Sequence, residues 1–263
     1  MAVQQNSIFT RQSHDASLPT EAKQHVFNRF YMSKPAIDVI IPAFNEENSI
    51  DKVLADIPKE LVREVIVCNN ASTDRTAEIA QKGGATLVEQ PQKGYGNACL
   101  KGLEYVFNKG KADHPDIVVF IDADYSDYPE EMYDLVKPII ENNMDLVIGS
   151  RALGNMERGS MTPQQIFGNW LATSLIRFFY KYEFTDLGPF RAIRYNKLLE
   201  MNMQDKTYGW TVEMQVKAAK MKMKCTEIAV NYRKRIGFSK VSGTVKGTIL
   251  AGHKILWTIF KLL

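Results

Sequence analysis

Apolar positions along this chain fall into two kinds of pattern. Short runs at Ile37–Ile41, Val65–Cys68, Ala85–Glu89, Ile117–Ile121 and Asp145–Ile148 predict strands, and the β-branched run Ile117–Ile121 predicts a buried parallel one. Pro42 is expected to end the first of them. Between the runs lie stretches with helical spacing. One predicted helix is capped by Ser72 and Thr73 and runs to Gln81, a second covers Gly96–Phe107, and a third opens at Pro129 and runs to Asn142. This alternation predicts an α/β fold, with a mostly parallel sheet and helices on both faces.

The second half is less regular. Phe167–Tyr182 and Thr211–Met221 predict helices, Cys225–Tyr232 alternates as a strand, and an apolar segment containing Gly243 and Gly247 runs to Leu263. Residues 1–35 are rich in Gln, Ser, Asn and Thr and read as a polar tail, with a short helix near Glu21–Tyr31. The expected organisation is this tail, a catalytic-sized domain over 36–240, and a terminal helix over 241–263.

Composition narrows the class. With 45% hydrophobic and 24% charged residues, the 263-residue chain has the balance of one large globular domain. A net charge of +3 is too small to argue for nucleic acid. Cys68, Cys99 and Cys225 are odd in number and form no C-x-x-C pair, so a reducing, cytoplasmic setting is expected. No basic-then-apolar leader opens the chain, and no stretch reaches the ~18 apolar residues of a spanning helix.

Candidate chemistry begins at Asp122-Ala123-Asp124, which follows the run Ile117–Ile121. Carboxylates at the C-terminal edge of a parallel strand sit where open α/β sheets bind ligands. Two hard oxygen ligands suit Mg2+ or Mn2+, with substrate phosphates completing the shell. Pro42-Ala43-Phe44-Asn45-Glu46-Glu47 and Asn69-Asn70-Ala71-Ser72-Thr73-Asp74 follow the first two strands and share that edge. Three polar loops there make a cleft for a polar ligand. Lys93-Gly94-Tyr95-Gly96-Asn97-Ala98 precedes a helix, where glycine and free N–H groups suit a phosphate.

In their order and spacing, these four segments resemble the motifs of family 2 glycosyltransferases. Gly149-Ser150-Arg151, Asp186-Leu187-Gly188-Pro189-Phe190-Arg191 and Arg235-Ile236-Gly237-Phe238-Ser239-Lys240 are similar to the branch that includes dolichyl-phosphate mannose and glucose synthases. The resemblance covers residues 37–245. It implies a GT-A, Rossmann-like fold and inverting transfer of a hexose from a UDP- or GDP-sugar to a polyprenyl phosphate. It also implies roles. Pro42, Ala43, Asn45, Glu46, Asn69, Asn70, Lys93, Gly94 and Ala123 would lie around the nucleotide. Asp122 and Asp124 would hold the metal, with Ser126 a further contact. Arg151, Arg191, Arg235, Ser239 and Lys240 would face phosphate, and Glu213 would lie near the acceptor. Two departures stand out. Asn69 replaces the usual Asp of the base-binding loop, and Thr162–Ile166 lacks an Arg that relatives carry.

A hydroxyl acceptor needs a general base, whereas a phosphate acceptor is already ionised. His14, His25, His114 and His253 lie outside every motif, and Asp186 is the one candidate base. Its alternative role is to orient Arg191 or cap a turn. Taken as a helix, Ser242–Leu263 gathers Lys246, His253, Lys254 and Lys261 in one sector, opposite Val245, Ile249, Ile255, Leu256, Ile259, Phe260, Leu262 and Leu263. That pattern predicts an interfacial helix on the inner membrane face, its alternative being a helix packed on the body or in a homo-oligomer. Two other functions stay open: a soluble family 2 transferase acting on a hydroxyl (sugar, glycerate-like or lipid), and a non-catalytic peripheral membrane protein.

Overall fold

Seven strands form one sheet in the order β3-β2-β1-β4-β6-β5-β7. The computed structural model describes residues 34–237 and 245–263. The strands are β1 (Ile37–Ala43), β2 (Glu64–Asn69), β3 (Thr86–Glu89), β4 (Ile117–Phe120), β5 (Leu146–Ser150), β6 (Arg191–Arg194) and β7 (Cys225–Ala229). All neighbours pair parallel except β6, which runs antiparallel to both β4 and β5. Helices α1 (Ile50–Asp56), α2 (Thr76–Lys82), α3 (Tyr95–Phe107), α4 (Met132–Asn142), α5 (Pro163–Tyr180), α6 (Tyr195–Met201), α7 (Trp210–Lys220) and α8 (Val245–Lys261) cover it.

Strand geometry divides the core in two, because successive side chains point to opposite faces. Ile40, Ile66, Val118 and Phe120 pack with residues of α3, α5, α7 and α8. Val39, Ile41, Val67, Val119 and Ile121 pack with residues of α1, α2 and α4. The expected α/β architecture with helices on both faces is therefore present.

Several boundaries differ from expectation. β1 continues through Pro42 to Ala43, because the missing N–H lies beyond the last β4 pair, Ile40 with Phe120. α2 begins at Thr76 rather than after Ser72 and Thr73. The Ser72 hydroxyl instead accepts the Asn45 N–H, and the Thr73 N–H donates to Asn45 Oδ1. Pro129 opens a 3-10 turn, Pro129–Glu131, that leads into α4. α1, β6 and α6 carried no clear periodic signal. The short helix near Glu21–Tyr31, and Ser239 and Lys240, lie outside the described residues.

The first strand, β1, lies inside the sheet; the chain then moves outward to β2 and β3 and returns to β4 on the other side of β1. The strand order reverses between β1 and β4. Doubly wound sheets open a crevice at that point, beyond the C-terminal strand ends.

Candidate active site

Three loops leave β1, β2 and β4 at this crevice, and each carries a non-glycine residue in the left-handed region. Asn45 has φ 54°, Ala71 58° and Tyr125 62°. Such conformations persist where neighbours over-determine them. Asn45 is held to the second loop by the Ser72 and Thr73 bonds. Tyr125 lies under the Arg233 guanidinium, 3.3 Å from its ring centroid, and the same Arg donates to the Tyr125 and Asp127 carbonyls. The 232–236 segment thus lies over the Asp122–Asp127 loop, fastened also by Arg233 N–H to Ser126 O and Ile236 N–H to Asp124 O.

Asp122 and Asp124 open on a cavity of about 280 Å³ lined by Pro42, Ala43, Glu46, Asn70, Lys93, Gly94 and Ala123, with Phe44, Tyr95, Tyr208 and Arg235. The Asp122 carboxyl is pushed up to about 7, first by burial and then by the negative Asp124 beside it; the Tyr95 hydroxyl, donating at 3.0 Å, works the other way. Arg235 spans the cleft, with Nη1 3.2 Å from Asp124 and Nη2 2.9 Å from Glu46. Two crowded carboxylates at the foot of a polar cleft are a donor set that fits a divalent cation. Among the described residues no third His, Cys, Asp or Glu joins them in a metal cluster, so phosphate oxygens and water would complete the shell.

The structure moves several expected site residues away from the cleft. Ser126 is fully buried and its hydroxyl donates to Asp124 Oδ1, so it orients that carboxylate rather than reaching a metal. Asn69 turns to the sheet edge, donating to Glu89 and accepting from the Ser72 N–H. Asn70 lines the cavity with its backbone loop in hand: its amide donates to Gln90 O and Gln92 O and accepts from the Gly94 N–H at 2.7 Å. Arg191 is wholly buried, and its guanidinium donates to the carbonyls of Leu187, Gly188 and Thr211. Burial lowers its pKa to about 10, and no phosphate can reach it. Glu213 is also buried, accepting from Gln204 and Asp205 N–H and pairing with Lys217. It shapes a loop and lines none of the cavities at the carboxylate pair.

Asp186 meets Arg151, not Arg191. The two side chains form a fork of 2.7 and 2.8 Å, and the Arg151 N–H donates to the same carboxylate. Burial opposes its charge, yet the charge and hydrogen bonds of Arg151 hold Asp186 below the usual carboxylate range. With both oxygens engaged it is a poor base and a good brace for Arg151. Arg151 also stacks on Tyr232, 5.0 Å from the ring centroid.

The glycines at the start of α3 do something other than expected. Gly94 has φ 141°, which favours glycine. A Cβ on Gly94 would stand 2.2 Å from Lys206 O, and one on Gly96 2.0 Å from Asp205 O. The N–H groups of Gly96 and Asn97 donate to Thr207 O and Lys206 O. The Gly96 and Asn97 N–H groups of the helix N-terminus are therefore taken by protein carbonyls rather than left open to a phosphate.

Three functional-looking residues were given no role from the sequence, although Tyr95 stands within the Lys93–Ala98 motif. Tyr95 and Tyr208 line the cleft from elements far apart in the chain. Asp127 is buried with neither carboxylate oxygen hydrogen-bonded, and burial, then Asp122 and Asp124, push its pKa well above the usual range.

A second cavity, about 330 Å³, shares Tyr95, Asp122, Asp124, Tyr208 and Arg235 with the first and extends past Arg151 between α5 and α8. There it shares Gln164, Gly168, Gly252 and Ile255 with a third, about 480 Å³, whose other walls include Phe167, Leu171 and Leu256. Phe167, which lines that cavity, is exposed, as are Trp170 and Phe178 elsewhere on α5 and Leu250, Trp257 and Phe260 on α8. The apolar side of the terminal segment is divided: Phe260 and Leu263 are exposed, while other positions pack inward. Ile259 is buried against the body, Tyr180 Oη donates to Ile259 O, and Lys254 pairs with Asp205 at 2.8 Å instead of pointing to solvent. Among the described residues no helix is long and apolar enough to cross a membrane.

Comparison with known proteins places this geometry. Residues 38–201 match the family described as Glycosyl transferase family 2. An uncharacterised glycosyltransferase of Mycobacterium tuberculosis is 34% identical over 222 residues, 84% of this chain and 96% of that protein. A dolichyl-phosphate hexose transferase of Haloferax volcanii is 30% identical over 214 residues, 81% of this chain and 89% of its own. In fold, the chain is similar to Mycobacterium tuberculosis glucosyl-3-phosphoglycerate synthase solved with Mn2+, UDP-glucose and phosphoglyceric acid. The TM-score is 0.70 at 21% identity, over 94% of this chain and 85% of that one.

Proposed function

The chain belongs to glycosyl transferase family 2, and from that premise we propose an inverting, metal-dependent transfer of a hexose from a UDP- or GDP-sugar to a polyprenyl phosphate. One observation carries the reading: Asp122 and Asp124 line both a first cavity, which also holds Glu46, Asn70 and Lys93, and a second cavity that runs on into an apolar one. A nucleotide diphosphate fits the first, a phosphate fits the second beside Arg151, and a hydrocarbon chain fits the third. The similarity to a dolichyl-phosphate hexose transferase supports the same acceptor class.

A divalent cation held by Asp122 and Asp124 would neutralise the leaving diphosphate. The chain's own residues do the rest. Tyr95 and Ser126 aim the two carboxylates. Arg151, braced by Asp186, presents its charge to the acceptor phosphate, and Arg235 stands between the donor and acceptor sides. An ionised phosphate attacks without a base, which agrees with the engagement of both Asp186 oxygens. The exposed aromatics of α5 and α8, the two helices that wall the apolar cavity, would rest on the membrane surface that holds the acceptor.

The test is a panel of labelled UDP- and GDP-hexoses offered with polyprenyl phosphate in vesicles, with and without EDTA. Expected is EDTA-sensitive label in the lipid extract from one donor. Label passing instead to 3-phosphoglycerate or a free sugar, with none in the lipid, would replace this reading by a soluble hydroxyl-acceptor transferase.

A further inference from the structure

The grip of α3 on the 204–208 loop leads back to the terminal helix. Asp205 is nearly buried. Its Oδ1 accepts the N–H groups of Thr207 and Gly209, at 2.8 and 3.0 Å, and its Oδ2 takes Lys254 of α8. The carbonyls of Lys206 and Thr207 in turn receive the Asn97 and Gly96 N–H groups, at 2.9 and 3.2 Å. The residue just before those amides is Tyr95, whose hydroxyl holds Asp122. Each link is a short polar contact or a backbone approach too close for a Cβ, so the loop and the start of α3 move together.

We propose that Lys254 and Asp205 are positioning residues of the donor half of the site: their ion pair seats the 204–208 loop against α3, and thereby sets Tyr95 and the Asp122 carboxylate. The same pair ties α8, whose Trp257 and Phe260 face outward, to the metal-binding end of the cleft. The inference rests on the assignment of Asp122 and Asp124 to a donor-diphosphate metal. It does not depend on the acceptor.

The Lys254→Ala protein is expected to fold. Ile259 stays buried, Tyr180 still holds the Ile259 carbonyl, and Lys220 still donates to Leu262 O, so α8 remains in place. Asp205 keeps its two N–H bonds. Two measurements test the link. In metal-free protein, hydrogen exchange at Gly96 and Asn97 is expected to quicken in Lys254→Ala and to return toward wild type in Lys254→Arg. With Mn2+ present, the affinity for UDP or GDP, whichever the wild type binds, is expected to weaken in Lys254→Ala, by up to the about tenfold that marks the lower end for a direct partner of a metal-ligating group such as Tyr95. Asp205→Asn should match it, the double variant should be no worse, and the KM for acceptor should not move. Unchanged exchange and unchanged Mn2+-nucleotide affinity in Lys254→Ala would overturn the proposal, as would a Lys254→Arg protein as impaired as Lys254→Ala. A wild type that binds neither nucleotide with Mn2+ would instead remove the donor assignment, while the exchange data would still decide the mechanical link.

Discussion

Replacing Asp186 with Asn distinguishes a brace from a base. Asp186 is 1% exposed and forms both arms of a fork with Arg151, whose side chain is 12% exposed. Removing one member of a buried pair costs about 3–5 kcal/mol, because the other charge is left without its partner. Arg151 keeps its stack on Tyr232, which points to the lower end, about 3 kcal/mol. The assay is urea denaturation of Asp186→Asn and wild type. The pH dependence has a definite sign. The folded-state pKa of Asp186 is below its usual value, so its contribution is complete above about pH 4 and is lost as pH falls through the folded value. The gap between the two proteins should be full at pH 7 and should shrink below about pH 4. Transfer should fall in parallel with Arg151→Ala, and the double variant should lose no more than either single one. A base predicts otherwise. An Asp186→Asn protein of wild-type stability, with kcat down by roughly 10²–10⁴ and the acidic limb of its pH profile gone, would refute the brace.

Other outcomes follow from the same geometry. Gly168 has nothing within 4 Å of a built Cβ and sits where the second and third cavities meet; Gly168→Leu should stop transfer to a long polyprenyl phosphate while leaving Mn2+-nucleotide binding intact, and equal rates with long and short prenyl phosphates would count against an acceptor tail there. Tyr95→Phe removes a donor to a carboxylate, a loss of about tenfold in Mn2+ affinity, readable by electron paramagnetic resonance; an unchanged affinity would show that Asp122 needs no such partner. Arg191→Lys should lower the denaturation midpoint while leaving both KM values in place, since its guanidinium holds backbone carbonyls. Trp170→Ser with Trp257→Ser, both exposed, should weaken binding to anionic vesicles by on the order of tenfold, and vesicle binding equal to wild type would detach α5 and α8 from the membrane.

Much of the fold was legible because its signals are local. The buried runs at Ile37–Ile41 and Ile117–Ile121 identify strands by themselves, and the polar loops after them share an edge once the strands are parallel. Asp122, Asp124, Glu46 and Asn70 were placed at that edge, and the structure brings them to one cavity with Lys93. β6 escaped notice because four residues, Arg-Ala-Ile-Arg, carry too little pattern, and its antiparallel course depends on neighbours contributed by β4 and β5. The amphipathic pattern of α8 was also clear, but an apolar stripe looks the same whether it meets a membrane or α5 and α7.

Charged residues were the hardest to read. Arg151, Arg191 and Arg235 are alike as letters, yet one braces against Asp186, one is buried on carbonyls, and one spans Asp124 and Glu46. Arg235 and Glu46 are 189 residues apart. Periodicity and strand composition act over a few residues, so the chain alone was enough for the elements, their order and the edge where the loops gather. Which partner each charge meets depends on how distant segments approach, and burial then fixes whether that charge is free for a ligand. Only the packed structure, with the 204–208 loop closing α3 and the 232–236 segment lying over Asp124, could decide that.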